Sequence, residues 1–284
     1  MLMMVCLNTA FAKPLSIVTT IRPVYGLVSA ITNGVDEPNL LLKGAQSPHH
    51  TQLKPTQVNQ LQTADVIIMI DPTFEHFLSH ALPNLPQTTT VITLSQTPQL
   101  THRQHDHHGQ LQLDGHLWLN PVNAMRMVDA ITTTLSKKNP EAKTIYQANA
   151  QALKTKIKAI DQDIQKRLAP VKNSPFMVFH DGYHYFSAYY ELNDQGALLL
   201  EPNDPLKAQK LLALEEKITQ HQLDCVFQDE PAQPRLSRFL AETLKVPSET
   251  LDPLGTQLNL NPDLYPQLML NLAQSFSKCL TPNN

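Results

Sequence analysis

Glycine is scarce in this chain: eight in 284 residues, against 22 prolines. No Gly-x-Gly-x-x-Gly, no Walker loop and no Gly-x-Ser-x-Gly occurs, so dinucleotide and nucleoside triphosphate chemistry and a Ser nucleophile on a strand-to-helix elbow drop out. Charge of either sign is also thin. Charged residues make up 17%, and 22 Lys and Arg against 25 Asp and Glu leave a net charge of −3, which argues against a nucleic-acid partner. The longest wholly aliphatic run in the body, residues 66–70, is far below the roughly 20 residues of a membrane span. The body is therefore expected to be soluble. Cysteine is limited to three residues with no Cys-x-x-Cys among them, so thiol redox catalysis and a thiolate zinc site find little support. What rises above background is histidine: 12 in all, five of them between His102 and His116.

Residues 1–12 carry no charge and end in Ala10-Phe11-Ala12, the small-x-small pattern that a signal peptidase reads. Export with cleavage before Lys13 is expected, in preference to a buried first strand. Cys6 would leave with that segment. Cys225 and Cys279 then remain as an even pair in an oxidising compartment, where one disulfide is expected and two buried free thiols are the alternative.

Short β-branched or apolar runs alternate with longer helical patterns. Residues 16–21, 40–42, 66–70 and 91–94 read as strands, with helical periodicity at 24–31 and 56–61 between them. A second set of strands follows at 176–179, 197–200, 225–227 and 249–251, with helical segments at 206–221, 236–244 and 265–278. This β-α-β rhythm predicts parallel sheets. Between the two sets, Asn139 reads as an N-cap and Pro140 as the first helical residue. Ile145, Leu153, Ile157, Ile160, Ile164 and Leu168 then repeat mainly at spacings of three and four until Pro170 stops the pattern. About 30 residues at 1.5 Å each give roughly 45 Å of helix, read as a rigid strut because strand patterns resume beyond it. The expected organisation is a signal peptide at 1–12, an α/β lobe at 13–138, a linking helix at 139–172 and a second α/β lobe at 173–284.

Ligands of open α/β sheets bind outside the carboxyl ends of the strands. His180 closes the strand Phe176 to Phe179, His49 lies in a loop just after residues 40–42, and His116 stands shortly before a helix over 122–135. A lone His is usually a core or surface residue. Three that can meet in one interlobe cleft are more telling, because neutral imidazoles suit Zn, Cu and Ni, and three of them plus one oxygen satisfy tetrahedral zinc. Magnesium and calcium want oxygen donors that this group lacks.

At SPHHTQLKP from Ser47, HLWLNP from His116 and FHDGYHYF from Phe179, the chain resembles the periplasmic zinc-binding receptors of bacterial ABC transporters, the ZnuA type. The resemblance extends to ADVII from Ala64, CVFQDEP from Cys225 and TLDPLGT from Thr250, and covers nearly the whole of the chain after residue 12. It implies two α/β lobes joined by a rigid helix, a zinc ion between them, and delivery to an inner-membrane ABC permease by a periplasmic monomer that is not an enzyme. It also implies that Cys225 pairs with Cys279. Carried over by position, His49, His116 and His180 are the expected metal ligands. Pro48 stands where some members supply a carboxylate, so the fourth position falls to Asp252 or to water. His50 and His184 are not expected to ligate, and Glu230 is expected to be structural. Residues 101–109 resemble a shortened His- and acid-rich loop, read either as a solvated linker or as a second, weaker and exchangeable metal site.

Three His and a metal-bound water are also the layout of a zinc hydrolase. Against that reading, there is no His-Glu-x-x-His, and the receptor resemblance is extensive. A manganese receptor is the remaining alternative, disfavoured because the third expected ligand is His180 and manganese prefers carboxylates.

Overall fold

The computed structural model describes residues 13–44, 46, 48, 51–107, 110–199, 208–221, 223–229, 242 and 245–281. The signal peptide expected at 1–12, His49, His50, Glu230 and the helical segment expected at 236–244, apart from residue 242, lie outside the described residues. In the first part of the chain, β1 (Ile17–Thr19), α1 (Arg22–Thr32), β2 (Asn39–Leu40), α2 (Pro55–Gln62), β3 (Val66–Met69) and β4 (Thr90–Thr93) build a parallel sheet in the order β2-β1-β3-β4. Then come a hairpin of β5 (Gln104–His107) and β6 (Gln110–Leu113) and two long helices, α3 (Pro121–Lys138) and α4 (Lys143–Leu168). The second part comprises β7 (Phe176–His180), α5 (His184–Tyr189), β8 (Asp194–Leu199), α6 (Ala208–His221), β9 (Cys225–Asp229), β10 (Ser248–Leu251) and α7 (Leu264–Leu280). Its sheet is again parallel, ordered β10-β9-β7-β8. The α/β class with two parallel sheets and a long helix is as the β-α-β rhythm predicts.

The central strands β1, β3, β7 and β9 are covered on both faces, which is why they read as nearly continuous apolar runs. The two-residue side-chain period sorts them. Val66, Ile68 and Ile70 join the central core while Ile67 and Met69 pack beneath α2 with Leu61 and Leu78; likewise Phe176 and Val178 face inward and Met177 and Phe179 face Leu199, Leu223 and Val226. The central core is one body. It runs from Ile17 and Leu27 through Met127, Ile157 and Ile164 to Phe176, Leu268 and Phe276, so α1, α3, α4 and α7 fill the space between the two sheets. Polar links tie the same seam. Arg22, at the start of α1, donates to the carbonyls of Gly255 (2.8 Å) and Leu258, and Trp118 Nε1 donates to Pro253 O at 2.9 Å.

Cys225, at the start of β9, is bonded to Cys279 of α7 with Cα atoms 5.9 Å apart, as the resemblance implied. Closing a 54-residue separation is worth about 4 kcal/mol on the chain-entropy model.

The linking helix differs in detail from the sequence reading. Pro140–Ala142 form a 3-10 turn, α4 starts only at Lys143, and Ala169–Val171 form a second 3-10 turn that accommodates Pro170. Ile145, placed in the apolar stripe, is exposed; Tyr146 takes the buried position, because its hydroxyl can reach the buried carboxylate of Asp36 while its ring fills the core. Within the segment 101–109, read as a solvated linker or a weaker metal site, Gln104–His107 form β5, paired antiparallel with β6 and pinned at the base by Asp114 N–H to Arg103 O at 3.0 Å; residues 108 and 109 lie outside the described residues.

Candidate metal centre

His180 is the last residue of β7 and Asp229 the last of β9, neighbouring parallel strands whose carboxyl ends therefore lie side by side. His116 reaches the same place from the other part of the chain. It follows the hairpin and caps the 3-10 turn Leu117–Leu119, after which Asn120 starts α3 by accepting the N–H groups of Val122 and Asn123 through Oδ1 at 2.8 and 3.2 Å. The centroids of the His116 and His180 rings are 5.0 Å apart, and both side chains are buried.

Each imidazole is held by its own carboxylate. His116 Nδ1 is 2.8 Å from Asp114 Oδ1, which also accepts the backbone N–H of His116 at 2.9 Å, an Asx turn that locks ring and main chain together. His180 Nδ1 is 3.0 Å from Asp229 Oδ2, while Asp229 Oδ1 accepts the hydroxyl of fully buried Tyr183. A carboxylate is an acceptor, so His116 presents an N–H from Nδ1 to Asp114 and, when neutral, keeps its lone pair on Nε2, while His180 Nδ1 faces Asp229 at ion-pair distance. This is the carboxylate–histidine arrangement that orients an imidazole for a metal.

Burial alone would raise both carboxyls. The positive character of the facing imidazole and the hydrogen bonds outweigh it: Asp114 is held below the usual range chiefly by His116, and Asp229 chiefly by His180 with help from Tyr183. Burial and the Asp229 charge push the Tyr183 phenol far up, so it stays a donor. Tyr185 backs the other side, donating to Asp114 O at 3.1 Å and accepting the Arg103 N–H at 2.8 Å.

The rings leave no spare room. A Cβ at Gly182 would lie 2.6 Å from His180 Cε1 and 3.0 Å from His116 Cε1, so only glycine fits between the imidazoles and the chain that turns from β7 into α5. Phe74 closes the other wall, edge-on to His116 with centroids 5.1 Å apart. Next to it Glu75 is fully buried; its Oε2 accepts the N–H groups of Ile70 and Asp71 at 2.7 and 3.1 Å, just past the end of β3. Burial pushes this carboxyl up to about 7 in spite of those two amides.

Of the four expected ligands, His116 and His180 are brought together. Asp252 follows β10, and its oxygens hold a turn: Oδ1 accepts Leu254 N–H at 3.2 Å, and Oδ2 accepts Thr256 N–H and hydroxyl at 2.5 and 2.9 Å. Its charge bears on Tyr183 and Arg22. His49 lies outside the described residues, and among the described residues no three His, Cys, Asp or Glu side chains gather closely enough to hold a metal. His184 does not share a helix face with His180, which belongs to β7; it opens α5 and faces Asp181. Sequence reasoning read Tyr183 only as cleft lining and missed Asp114, Asp229, Phe74 and Gly182. The Asp-Gly-His spacing at 114–116 is a local Asx-turn signal; Asp229 has none, because its partner is 49 residues away in sequence.

The family described as zinc-uptake complex component A, periplasmic (ZnuA), matches residues 17–279. The chain is 30% identical over 305 residues to the high-affinity zinc uptake system protein ZnuA of Brucella suis, covering 93% of this chain and 91% of that protein. It is 30% identical over 292 residues to the protein of the same name from Yersinia pestis, with 93% and 91% covered. The crystal structure of a zinc-bound ZnuA deletion mutant is similar at a TM-score of 0.81 and 22% identity, over 96% of this chain and 100% of that one. The Zn(II)-bound ZnuA-like domain of Streptococcus pneumoniae AdcA gives 0.77 and 24%, over 93% and 100%. At those identities the two structures speak for the fold, while the match over residues 17–279 decides the family. The chain belongs to the periplasmic zinc-uptake component A family.

Proposed function

We propose that this protein is a periplasmic receptor that captures Zn²⁺ and delivers it to an inner-membrane ABC permease, acting as a monomer. The metal is held by Nε2 of His116 and His180, with His49 as the third imidazole, between walls supplied by segments 13–138 and 173–284 on either side of the linker 139–172. The observation that carries this reading is the pair of buried imidazoles 5.0 Å apart whose Nδ1 atoms each face a carboxylate, at 2.8 and 3.0 Å. Two borderline nitrogen donors from distant parts of the chain favour zinc over manganese. Asp252 could enter the fourth position only by releasing its bonds to Thr256, so water is favoured there.

Carriage is favoured over hydrolysis for a related reason. Asp114 and Asp229 are the carboxylates in contact with the imidazoles, and both are spent on Nδ1 and, for Asp229, on Tyr183; neither is available as a general base. Zinc titration against a competing chelator tests the receptor directly. His49→Ala, His116→Ala and His180→Ala should each weaken one-to-one zinc binding by more than the roughly 10–100-fold that loss of an outer partner costs. Unchanged affinity in any of the three removes that residue from the site, and sustained esterase or peptidase turnover by the zinc-loaded protein would refute carriage without catalysis.

A further inference from the structure

The carboxyl end of β7 carries two more donors that the receptor site leaves unused. Asp181 follows His180 and is anchored by its own N–H on Leu199 O at 3.0 Å. Its side chain is about nine-tenths buried, at 9% exposure for the residue, and its Oδ1 is shut off from solvent with no hydrogen-bond partner among the described residues. The group facing that oxygen is Nε2 of His184, 3.2 Å away in an orientation that makes no hydrogen bond. Such a pair of atoms has the spacing of two ligands on one ion: with zinc bonds of about 2.0–2.1 Å to nitrogen and oxygen, tetrahedral donors stand roughly 3.3 Å apart. His184 is about a third exposed, so solvent reaches the pair on the imidazole side, with Asp181 Oδ1 shielded behind it. The charge of His105, on β5, bears on both Asp114 and Asp181.

We infer that Asp181 Oδ1 and His184 Nε2 form an outer divalent-cation site that takes Zn²⁺ from solvent and passes it inward to His116 and His180. Two protein donors, with water completing the shell, make it weak and fast to exchange, as a waystation has to be. The direction of transfer rests on the receptor reading; the outer site does not.

Crystals of the full chain grown with several equivalents of Zn²⁺ and measured at the zinc edge should show two anomalous peaks, one at His116 and His180 and one between Asp181 and His184. His184→Gln should lose the second peak, keep the first, and slow zinc uptake in stopped-flow mixing by about tenfold or more, a loss on the scale that electrostatic capture contributes to association rates. An unchanged melting temperature of that variant guards against unfolding. His180→Ala should keep the outer peak while losing the inner one. An inner peak alone, zinc only on hairpin histidines, or an unchanged uptake rate in His184→Gln overturns the outer site and leaves the receptor standing; no zinc at any position overturns both.

Discussion

Glu75 ties the strand end behind the metal centre to the pH of the medium. Its carboxyl is fully buried and pushed up to about 7 from an ordinary 4.5, so the native state prefers the protonated form more than the unfolded chain does. The stability this contributes is complete below 4.5, declines as pH rises, and is gone once the native carboxylate has ionised above about 7. That rise corresponds to roughly 3 kcal/mol, most of which is lost between pH 5 and pH 8. Glu75→Gln keeps a carbonyl oxygen for the Ile70 and Asp71 amides but cannot ionise. Urea unfolding of the wild type and the variant, both in chelator, at half-unit steps across that range isolates the effect, since every other titrating group cancels in the difference. The variant should gain on the wild type by about 2 to 3 kcal/mol from pH 5 to pH 8, with most of the change complete by pH 7.5. Parallel curves would show that the buried carboxyl ionises as freely as an exposed one and would refute the reasoning.

Zinc affinity should fall steeply below about pH 6.5, where imidazoles in general take up the proton that metal binding displaces; competition titrations at several pH values check this, and a flat profile counts against an imidazole site. Asp229→Asn, which replaces the charged partner of His180 and the acceptor of Tyr183, should weaken zinc binding roughly 10–100-fold, read by chelator competition. Gly182→Ala drives a methyl into His180 Cε1 and should lower zinc affinity while leaving the far-ultraviolet circular dichroism of the protein unchanged. Reduction, or a paired Cys225→Ser and Cys279→Ser change, should cost about 4 kcal/mol in urea unfolding, with the double variant insensitive to reductant.

Much of this molecule is readable along the chain, and the parts that are not share a cause. Residues 66–70 and 176–179 announce buried parallel strands because both faces are covered and every position is apolar. His180 is recognisable as a candidate site residue because its place at a strand end follows from that pattern. The hairpin at Gln104–His107 and Gln110–Leu113 escapes notice because its first strand is wholly polar, leaving backbone pairing with no hydrophobic period to reveal it. The start of α4 is displaced by three residues, since Asn139 and Pro140 suit a 3-10 turn as well as an α-helical N-terminus. Asp229 meets His180 and Tyr183 only when β7 and β9 lie side by side, and no local spacing encodes that meeting.

The packing also constrains how such a site can open. A receptor that swings two lobes apart needs a seam that parts cheaply, and here the seam is the interior. Side chains of α1, α3, α4 and α7 form one apolar body that reaches both sheets, so separating the sheets would expose residues such as Leu27, Met127, Ile157, Leu268 and Phe276, all buried now. At about 25 cal/mol per Å² of apolar surface, uncovering even 200 Å² costs about 5 kcal/mol, comparable to the whole stability of many domains. The bonds from Arg22 to Gly255 and from Trp118 to Pro253 would break in the same motion. The imidazoles, by contrast, stand at strand ends and turns at the rim of this core: His180 at the end of β7, His116 ahead of a 3-10 turn. Loading and release are therefore expected to proceed by local movement of the segments that carry the ligands, with the helical strut and both sheets fixed, because that is the motion the core leaves inexpensive.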